Sequence, residues 1–244
     1  MEITTGLIPG TDPRDGWVLL LDKPLTWSSF DAVNKIRYTF KSCHGIKKIK
    51  VGHAGTLDPL ATGILIICVG KATKQAESLM SEQKEYTGKF LFGKTTPSYD
   101  AETEPEHDFP SDHLTLAKLR ELAKIMIGEQ DQMPPVFSAK KVDGKRGYDM
   151  ARAGLEIKLR TAKISIDEFE ILSFENNIAE FRVKCSKGTY IRSIAHDFGQ
   201  LASSGAYLIE LRRTGSGEFT IDMTSDLEQT LKAIADFEMP IETD

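Results

Sequence analysis

The hydrophobic and polar positions of this chain predict strands and helices that follow one another without a regular repeat. Continuous or alternating apolar runs predict strands near residues 17–21, 64–69, 86–92, 161–174, 178–185, 206–213 and 217–222. Helical periodicity and capping residues predict helices near residues 28–38, 72–80, 115–127, 148–152 and 190–202. Because no βαβ alternation emerges, the predicted fold class is α+β, with a mixed, mostly antiparallel central sheet flanked by helices.

The loop predicted between the first helix and the second strand contains the most informative pattern. Residues 51–63 carry three glycines, one proline and a single acid, Asp58. Glycine permits backbone angles closed to other residues, and Pro59 disfavours the helical region for the residue before it. A carboxylate held in this way is presented to a ligand, or it caps a turn, as Asp often does before Pro. Local physics favours neither interpretation over the other.

The length of 244 residues is enough for one large core, or for a domain with a subdomain. The chain is 40% hydrophobic and 27% charged, which is ordinary for a soluble globular protein. No apolar run approaches the roughly 20 residues that span a bilayer, and residues 1–15 lack a secretory signal. Three widely spaced cysteines without a CxxC motif indicate free thiols in a reducing cytoplasm and no zinc site.

The net charge of −5 argues against a nucleic-acid partner until its distribution is considered. An acidic C-terminal tail, residues 221–244, carries seven acids and one base, and residues 100–112 carry six acids without Lys or Arg. The remainder of the chain is net positive. Its basic residues form three groups, at Lys41/Lys47/Lys48/Lys50, at Lys140/Lys141/Lys145/Arg146 and at Arg212/Arg213. These groups predict contacts with RNA phosphates, although a solvated surface explains such runs as well.

Residues 88–95 match the phosphate-loop pattern G-x-x-x-x-G-K-[ST]. A true phosphate loop exposes backbone amides in a loop and leads directly into a helix. Here the middle residues are strand-like, and Pro97 stands where the helix would run. The match therefore indicates a strand, and a nucleotide hydrolase is rejected.

Five short motifs, in the same order, resemble those of the TruB-type pseudouridine synthases. The loop around Asp58 is similar to the catalytic loop of that family, and the residues LDKP are similar to its N-terminal motif. The N-terminal motif comprises residues 21–24 together with Ser28 and Ser29. The other four motifs lie at residues 51–63, 84–86, 134–152 and 185–213. Together they extend over most of the chain, and five in order are far more specific than any one alone.

The resemblance implies the pseudouridine synthase fold, as a single catalytic domain over residues 1–244, and it also implies a reaction. This reaction is the isomerisation of uridine to pseudouridine at position 55 in the T loop of tRNA, after the base has flipped out. It breaks a C1′–N1 bond, rotates the base and forms a C1′–C5 bond, so it needs no metal or other cofactor. The implied partner is the T arm of tRNA, and nothing suggests a nucleotide, a membrane or an obligate protein partner.

The resemblance also assigns roles to single residues. Asp58 is implied as the nucleophile, and Arg192 as the cation that keeps its carboxylate ionised. Tyr86 is implied to stack on the extruded base and to serve in proton transfer. Five further residues are implied at the substrate, namely Tyr190 and Leu211 in the pocket, His53 inside the T loop, Asp100 near the active site, and Lys23 at the LDKP turn or a phosphate.

From the residues alone, three of these have plainer explanations. Arg192 fits a surface charge on a helix, Tyr86 a core position in a strand, and His53 a turn histidine bonded to backbone. A tRNA-folding chaperone on the same fold is also an alternative to an enzyme. Asp58 favours the enzyme, because a protein that only binds RNA has no need of a lone acid in that loop.

The chain departs from the family pattern at three places. Thr26 stands where the N-terminal motif commonly continues with glycine, and Ala54 replaces a common threonine. Many relatives carry a C-terminal RNA-binding domain, for which this chain is expected to be too short. We therefore expect the catalytic domain to supply affinity for tRNA, with a flexible segment at about 129–160 closing over the RNA.

Overall fold

The protein divides into two compact units in a computed structural model that describes residues 6–7, 11–137 and 160–240. For residues 141–142 and 145–146 the backbone alone is described. The first unit comprises Met1–Lys84 and Arg212–Asp244, and the second comprises Glu85–Leu211. The helix predicted at 148–152 lies outside the described residues, and the single-domain prediction stays a prediction.

Strands and helices account for most of the described residues. The strands are β1 (Trp17–Lys23), β2 (Val51–Ala54), β3 (Ala61–Val69), β4 (Lys84–Phe92), β5 (Lys94–Thr95), β6 (His107–Asp108), β7 (Gly128–Gln132), β8 (Lys141–Val142), β9 (Lys145–Arg146), β10 (Ala162–Glu175), β11 (Ile178–Cys185), β12 (Ala206–Ser216) and β13 (Phe219–Thr220). The α-helices are α1 (Ser29–His44), α2 (Ala76–Ser81), α3 (Leu116–Ile125), α4 (Ile191–Leu201) and α5 (Leu227–Asp236). Short 3-10 helices lie at Pro13–Asp15, Gly70–Gln75 and Ile221–Met223.

The first unit is built on β3, which pairs antiparallel with both β1 and β2 and lies beside β12. Strands β1 and β3 are buried along almost their whole length, as continuous apolar runs in a sheet covered on both faces should be. Val18 and Ile66 belong to a core on one face. Trp17 packs against Phe40 of α1, with ring centroids 5.9 Å apart.

The second unit orders its strands as β12, β4, β11, β10 and β7. Strand β10 pairs antiparallel with β11 and with β7. Phenylalanines fill its core, where Phe90 and Phe181 stack with ring centroids 4.0 Å apart. Phe198 of α4 packs edge-on against Phe169 of β10 at 5.1 Å, which fixes α4 on the sheet. The pairs of β3 with β1 and β2, and of β10 with β11 and β7, are antiparallel. The predicted α+β class is confirmed.

Most elements predicted from the sequence are present, and the differences are short or polar. The capping box predicted at Ser28 and Asp31 is confirmed, since each accepts a hydrogen bond from the other's backbone N–H. The prediction of a loop over residues 41–62 is wrong, because α1 continues to His44 and β2 forms before the Asp58 turn. The start of the predicted flexible segment is β7, paired in register with β10.

The phosphate-loop match is a strand, as predicted. Gly88 lies within β4, and a Cβ built on it would fall 2.2 Å from the carbonyl oxygen of Glu210. The glycine is therefore needed for the close approach of another backbone. Lys94 and Thr95 form the short strand β5 and do not begin a helix.

Candidate active site

The loop that carries Asp58 connects β2 to β3 in the first unit and is fastened to the start of α1. The Ser29 hydroxyl accepts a hydrogen bond from Leu57 N at 2.8 Å and donates one to Leu57 O at 3.1 Å. Two residues later, Pro59 O accepts a hydrogen bond of 2.8 Å from Thr26 N. These bonds hold the backbone on both sides of Asp58, whose side chain is half-buried.

Arg213 holds the same loop through hydrogen bonds to backbone carbonyls. It is 1% exposed, and its Nε donates to Ile64 O at 2.7 Å while its Nη2 donates to Gly55 O at 3.1 Å. One guanidinium thus joins Gly55, at the start of the loop, to Ile64 in the strand that follows it. Gly63 has a φ of +100°, and a Cβ on it would fall 2.2 Å from Arg213 O, so only glycine fits there.

Lys23 ends β1 as a fully buried ammonium near Asp58. Its Nζ donates to Pro24 O at 2.9 Å and to Trp27 O at 2.6 Å, so it orders the turn that follows β1. Burial lowers the pKa of Lys23 to about 8; the charge of Asp58 opposes this shift, and that of Arg213 adds to it. Asp58 therefore lies in the field of positive groups within its own unit.

His53 lies on β2, five residues before Asp58. Burial lowers the pKa of its imidazole, and the positive charge of Arg213 lowers it further. The ring is therefore neutral at pH 7. Its Nδ1 is buried and has no hydrogen-bond partner among the described residues. His53 lies on a strand, so the alternative of a turn histidine is wrong about its place in the chain. An unpaired ring nitrogen is suited to a polar ligand.

In the second unit, Gln132 of β7 positions the start of α4. Its side-chain amide donates to Tyr190 O at 3.1 Å and accepts from Tyr190 N at 2.8 Å. Tyr190 is the N-cap residue of α4 and makes no capping bond with its own side chain. Arg192 follows in the first turn of the helix.

Arg192 and Asp100 form a buried ion pair within the second unit. Arg192 is 2% exposed, so the alternative of a surface charge on a helix is wrong. Its Nε lies 3.5 Å from Asp100 Oδ2, and its Nη1 donates to Phe137 O at 2.7 Å and more weakly to Ser98 O at 3.4 Å. The other oxygen of Asp100, Oδ1, accepts from Ser98 Oγ at 2.6 Å and from Glu102 N at 3.0 Å.

Tyr86 and Leu211 lie on strands of the same unit, Tyr86 on β4 and Leu211 at the end of its part of β12. Each is 8% exposed. Of the eight predicted site residues, Lys23, His53 and Asp58 therefore belong to the first unit, and Tyr86, Asp100, Tyr190, Arg192 and Leu211 to the second. The structure places Lys23 with Asp58 and Asp100 with Arg192 inside their respective units.

The three basic groups differ in their environment. Lys41, Lys47, Lys48 and Lys50 are all exposed. Arg213 is buried against backbone carbonyls, so the prediction that it contacts phosphates is wrong. Arg212 pairs with Asp22 at 2.6 Å and remains partly exposed, and its contact with phosphates stays a prediction. The side chains of the group at residues 140–146 lie outside the described residues, and its predicted contact with phosphates stays a prediction.

Three further features of the described part of the chain bear on chemistry, namely metal-ligand clusters, cysteine thiols and membrane-spanning helices. No group of three His, Cys, Asp or Glu side chains there is arranged to hold a metal ion. Cys43, Cys68 and Cys185 are free thiols, and burial raises the pKa of Cys68 to about 11. No helix in these ranges is long and apolar enough to cross a membrane.

Sequence reasoning missed the three residues that hold the site in place, namely Ser29, Gln132 and Arg213. Ser29 stands inside the N-terminal motif, but helix rules account only for its neighbour Ser28. Gln132 lies in a polar segment without periodicity, and Arg213 resembles a surface base. The sole signal was the position of Ser29 and Arg213 inside motifs of the family pattern.

Comparison with known proteins identifies the family of the chain. The model of the TruB family pseudouridylate synthase N-terminal domain matches residues 41–191. The model of the tRNA pseudouridylate synthase B C-terminal domain matches residues 192–241. The two matches meet at the start of α4. The expected lack of a further RNA-binding domain stays a prediction.

Curated relatives are similar over nearly their whole length. The tRNA pseudouridine synthase B of Flavobacterium johnsoniae is 52% identical over 214 residues, which cover 87% of this chain and 93% of the relative. The protein of the same name from Parabacteroides distasonis is 49% identical and covers 88% and 91% respectively.

Solved structures agree with these relatives. A crystal structure of a Cbf5–Nop10–Gar1 complex contains a chain 29% identical to this one, with a TM-score of 0.67 over 90% of this chain and 54% of that chain. An H/ACA RNP bound to a substrate RNA containing 2′-deoxyuridine gives 26% identity and a TM-score of 0.63, covering 88% and 52%. The chain thus spans about half the length of these structural neighbours. The predicted family and enzyme class are confirmed, and the chain belongs to the TruB family of pseudouridylate synthases.

Proposed function

We propose that the protein isomerises uridine to pseudouridine at position 55 in the T loop of tRNA, with Asp58 as the nucleophile. The observation that carries this proposal is the fastening of the Asp58 loop by Ser29, Thr26 and Arg213. A nucleophile held by its backbone on both sides does not have to be ordered during the reaction. Pre-organisation of this kind lowers the entropic part of a reaction barrier.

The charge around Asp58 supports the same role. Lys23 and Arg213 are buried cations of the same unit, and both act electrostatically in this region. Buried positive charge of this kind attracts the anionic groups that take part in a nucleophilic reaction. By resemblance to the family, we assign Arg192 as a further cation that keeps Asp58 ionised. The low exposure of Arg192 is consistent with a role in a site from which water is excluded.

The remaining residues are proposed to receive the flipped uridine. Tyr86 offers an aromatic face and a phenol in a strand, and Tyr190 and Leu211 line the pocket. A flipped base loses its stacking partners at a cost of a few kcal/mol, which an aromatic side chain offsets. His53, neutral and with an unpaired ring nitrogen, is proposed to enter the T loop in place of the base.

A basic surface leading to the Asp58 loop supports tRNA as the partner. Residues 32–57 contain six Lys and Arg residues and no acid, in a chain of net charge −5. Lys41, Lys47, Lys48 and Lys50 of this segment are exposed, and no ion pair with another described residue occupies them. Lysines in this state exchange counterions for phosphates when RNA binds.

The deciding experiment compares the parent protein with Asp58→Asn on an unmodified tRNA transcript, mapping pseudouridine by position. The amide is nearly isosteric with the carboxylate but is a far weaker nucleophile, so we expect turnover to be lost and tRNA affinity to change only a few-fold. Asp112→Asn, which removes one exposed acid elsewhere, serves as the control for the change in charge.

Three outcomes would contradict the proposal in different ways. Full turnover by Asp58→Asn would show that Asp58 is not the nucleophile. Modification by the parent protein at another uridine would correct the target position. If the parent protein modified no uridine but accelerated tRNA folding, and Asp58→Asn did the same, the chaperone alternative would replace the enzyme.

A further inference from the structure

Tyr99 adopts a backbone conformation that tyrosine rarely adopts. Its φ is +62°, in the left-handed region that favours glycine. The conformation is held from both sides, because Tyr99 N donates to Thr96 O at 3.2 Å and Tyr99 O accepts from Leu208 N at 3.0 Å. A bulky residue kept in such a region indicates that its side chain is needed at that place.

The left-handed turn places the Tyr99 ring flat against His196 of α4. The ring centroids are 4.1 Å apart and the ring planes differ by 14°. Both residues are half-buried. Burial raises the pKa of the Tyr99 phenol and lowers the pKa of the His196 imidazole, so both rings are neutral at pH 7. The contact is therefore a stack of two neutral aromatic rings.

The next residue, Asp100, binds the same helix one turn earlier. Its Oδ2 lies 3.5 Å from Arg192 Nε, and Arg192 precedes His196 by four residues, which places both on one face of α4. Two consecutive residues of one loop thus contact two consecutive turns of one helix. Tyr99 contributes the aromatic contact and Asp100 the ionic one.

The loop behind these two contacts is tightly bonded within itself. Thr96 Oγ1 donates to Asp100 O at 2.7 Å, and Ser98 Oγ lies 2.8 Å from Thr103 Oγ1. Ser98 also donates to Asp100 Oδ1, which leaves Oδ2 directed at the guanidinium. Because the loop is held as one piece, displacement of the Tyr99 ring would carry the Asp100 carboxylate with it.

We propose that Tyr99 is a positioning residue for Arg192. Its stack on His196 sets the register of residues 96–103 on α4, and this register aligns Asp100 with the Arg192 guanidinium. The inference rests on the proposed function, in which Arg192 serves the reaction at Asp58. Tyr99 itself touches none of the reacting groups in this account and acts through Asp100 and Arg192.

The test replaces Tyr99 by glycine and by phenylalanine and measures single-turnover rate and tRNA affinity separately. Glycine adopts a positive φ without strain, so Tyr99→Gly removes the ring and retains the backbone. We expect a rate loss of roughly ten- to a hundred-fold with affinity changed less than three-fold, since small misplacements of catalytic groups cost that much. Tyr99→Phe keeps the stacking face, and it should restore the rate.

Ser203→Gly is the matched control, because Ser203 also has a positive φ (+52°) and lies exposed just after α4. It should leave rate and affinity unchanged. Thermal unfolding of each variant, monitored by circular dichroism, shows whether a variant with a low turnover rate is folded. If Tyr99→Gly kept the parent rate, the positioning role would be overturned.

A double-mutant cycle separates positioning from a general structural role. If Tyr99 acts through Asp100, Tyr99→Gly should add less than two-fold to the rate loss of Asp100→Asn. If the rate loss of the double variant equalled the product of the two single rate losses, the inference would be overturned and the proposed function would remain intact. Failure of the proposed function is recognised separately, by full turnover of Asp58→Asn, so the two failures are distinguishable.

Discussion

The hydroxyl of Ser29 exchanges hydrogen bonds with both backbone groups of Leu57, the residue that precedes Asp58. Ser29 and Leu57 are both buried, so water does not replace these bonds. The first residue of α1 thereby sets the position of the loop that carries the proposed nucleophile. The N-terminal motif and the catalytic loop, 28 residues apart in sequence, form one structural element.

Ser29→Ala tests this relationship. The change leaves the buried N–H and C=O of Leu57 without their partner, which should cost about 1–3 kcal/mol of unfolding free energy. The loosened loop should also lower the single-turnover rate roughly ten-fold. Urea unfolding and rate measurements are compared with Ser42→Ala, at the exposed end of the same helix, which should alter neither. Equal behaviour of the two variants would contradict the anchoring role.

Lys23 should titrate well below an ordinary lysine, with its pKa near 8, because burial disfavours its charged form. Between pH 8 and pH 10.5, the ordinary pKa of lysine, Lys23 is protonated in the unfolded chain but mostly neutral in the folded protein. Because the unfolded state binds more protons in this range, the contribution of Lys23 to the free energy of unfolding rises with pH. The Nζ resonance of Lys23, followed by nuclear magnetic resonance against pH, measures the midpoint directly. A midpoint above 10 would contradict the burial of the charge.

Asp58→Asn should lower the pKa of Lys23 further. The Asp58 carboxylate raises that pKa by favouring the ammonium, and the amide of asparagine removes this charge. Asp112→Asn, which removes one exposed acid elsewhere, should leave the Lys23 midpoint unchanged. An unchanged midpoint in Asp58→Asn would show that the two side chains do not interact.

Thr26→Gly should stabilise the protein. Thr26 has a φ of +69°, is exposed, and is β-branched, so it is strained in the left-handed region without compensating side-chain burial. Glycine relieves the strain while keeping the backbone bond to Pro59 O. We expect a gain of about 1 kcal/mol and a rise in Tm of about 2–4 °C. Leu25→Gly, an exposed neighbour without a positive φ, should instead lower Tm.

Replacing exposed lysines should flatten the salt dependence of tRNA binding. Every phosphate that a lysine no longer neutralises reduces the slope of log affinity against log salt by about 0.7–0.9. We expect this in Lys47→Ala/Lys48→Ala/Lys50→Ala, and separately when Lys140, Lys141, Lys145 and Arg146 are replaced by Ala. Lys232→Ala is the control, because Lys232 is exposed on α5 but paired with Asp236.

Rate at saturating tRNA should change less than affinity in both multiple variants, since these lysines lie outside the proposed chemistry. A set whose replacement leaves affinity and slope at the parent values is a solvated surface. If the two sets differ, the one that changes the slope contacts the phosphates.

The sequence by itself determined those parts of the protein that depend on neighbouring residues. The capping box of α1 and the burial of β1 and β3 follow from spacing and periodicity, because capping and amphipathicity act over a few residues. The ordered motifs were sufficient for the family and the enzyme class. The strand character of residues 88–92 also followed, since Pro97 excludes the helix of a phosphate loop.

The tertiary structure alone decided the elements and contacts that depend on distant partners. Strands β2 and β7 are short and partly polar, and each is defined by pairing with a longer strand elsewhere in the chain. Arg213 looks like a surface base in sequence, but the backbone carbonyls of Gly55 and Ile64, which are distant in the chain, accept hydrogen bonds from its guanidinium in the interior. Asp100 meets Arg192 only because a left-handed turn and a helix bring them together. Such contacts depend on three-dimensional packing between residues that are distant in sequence, and local residue patterns do not predict them.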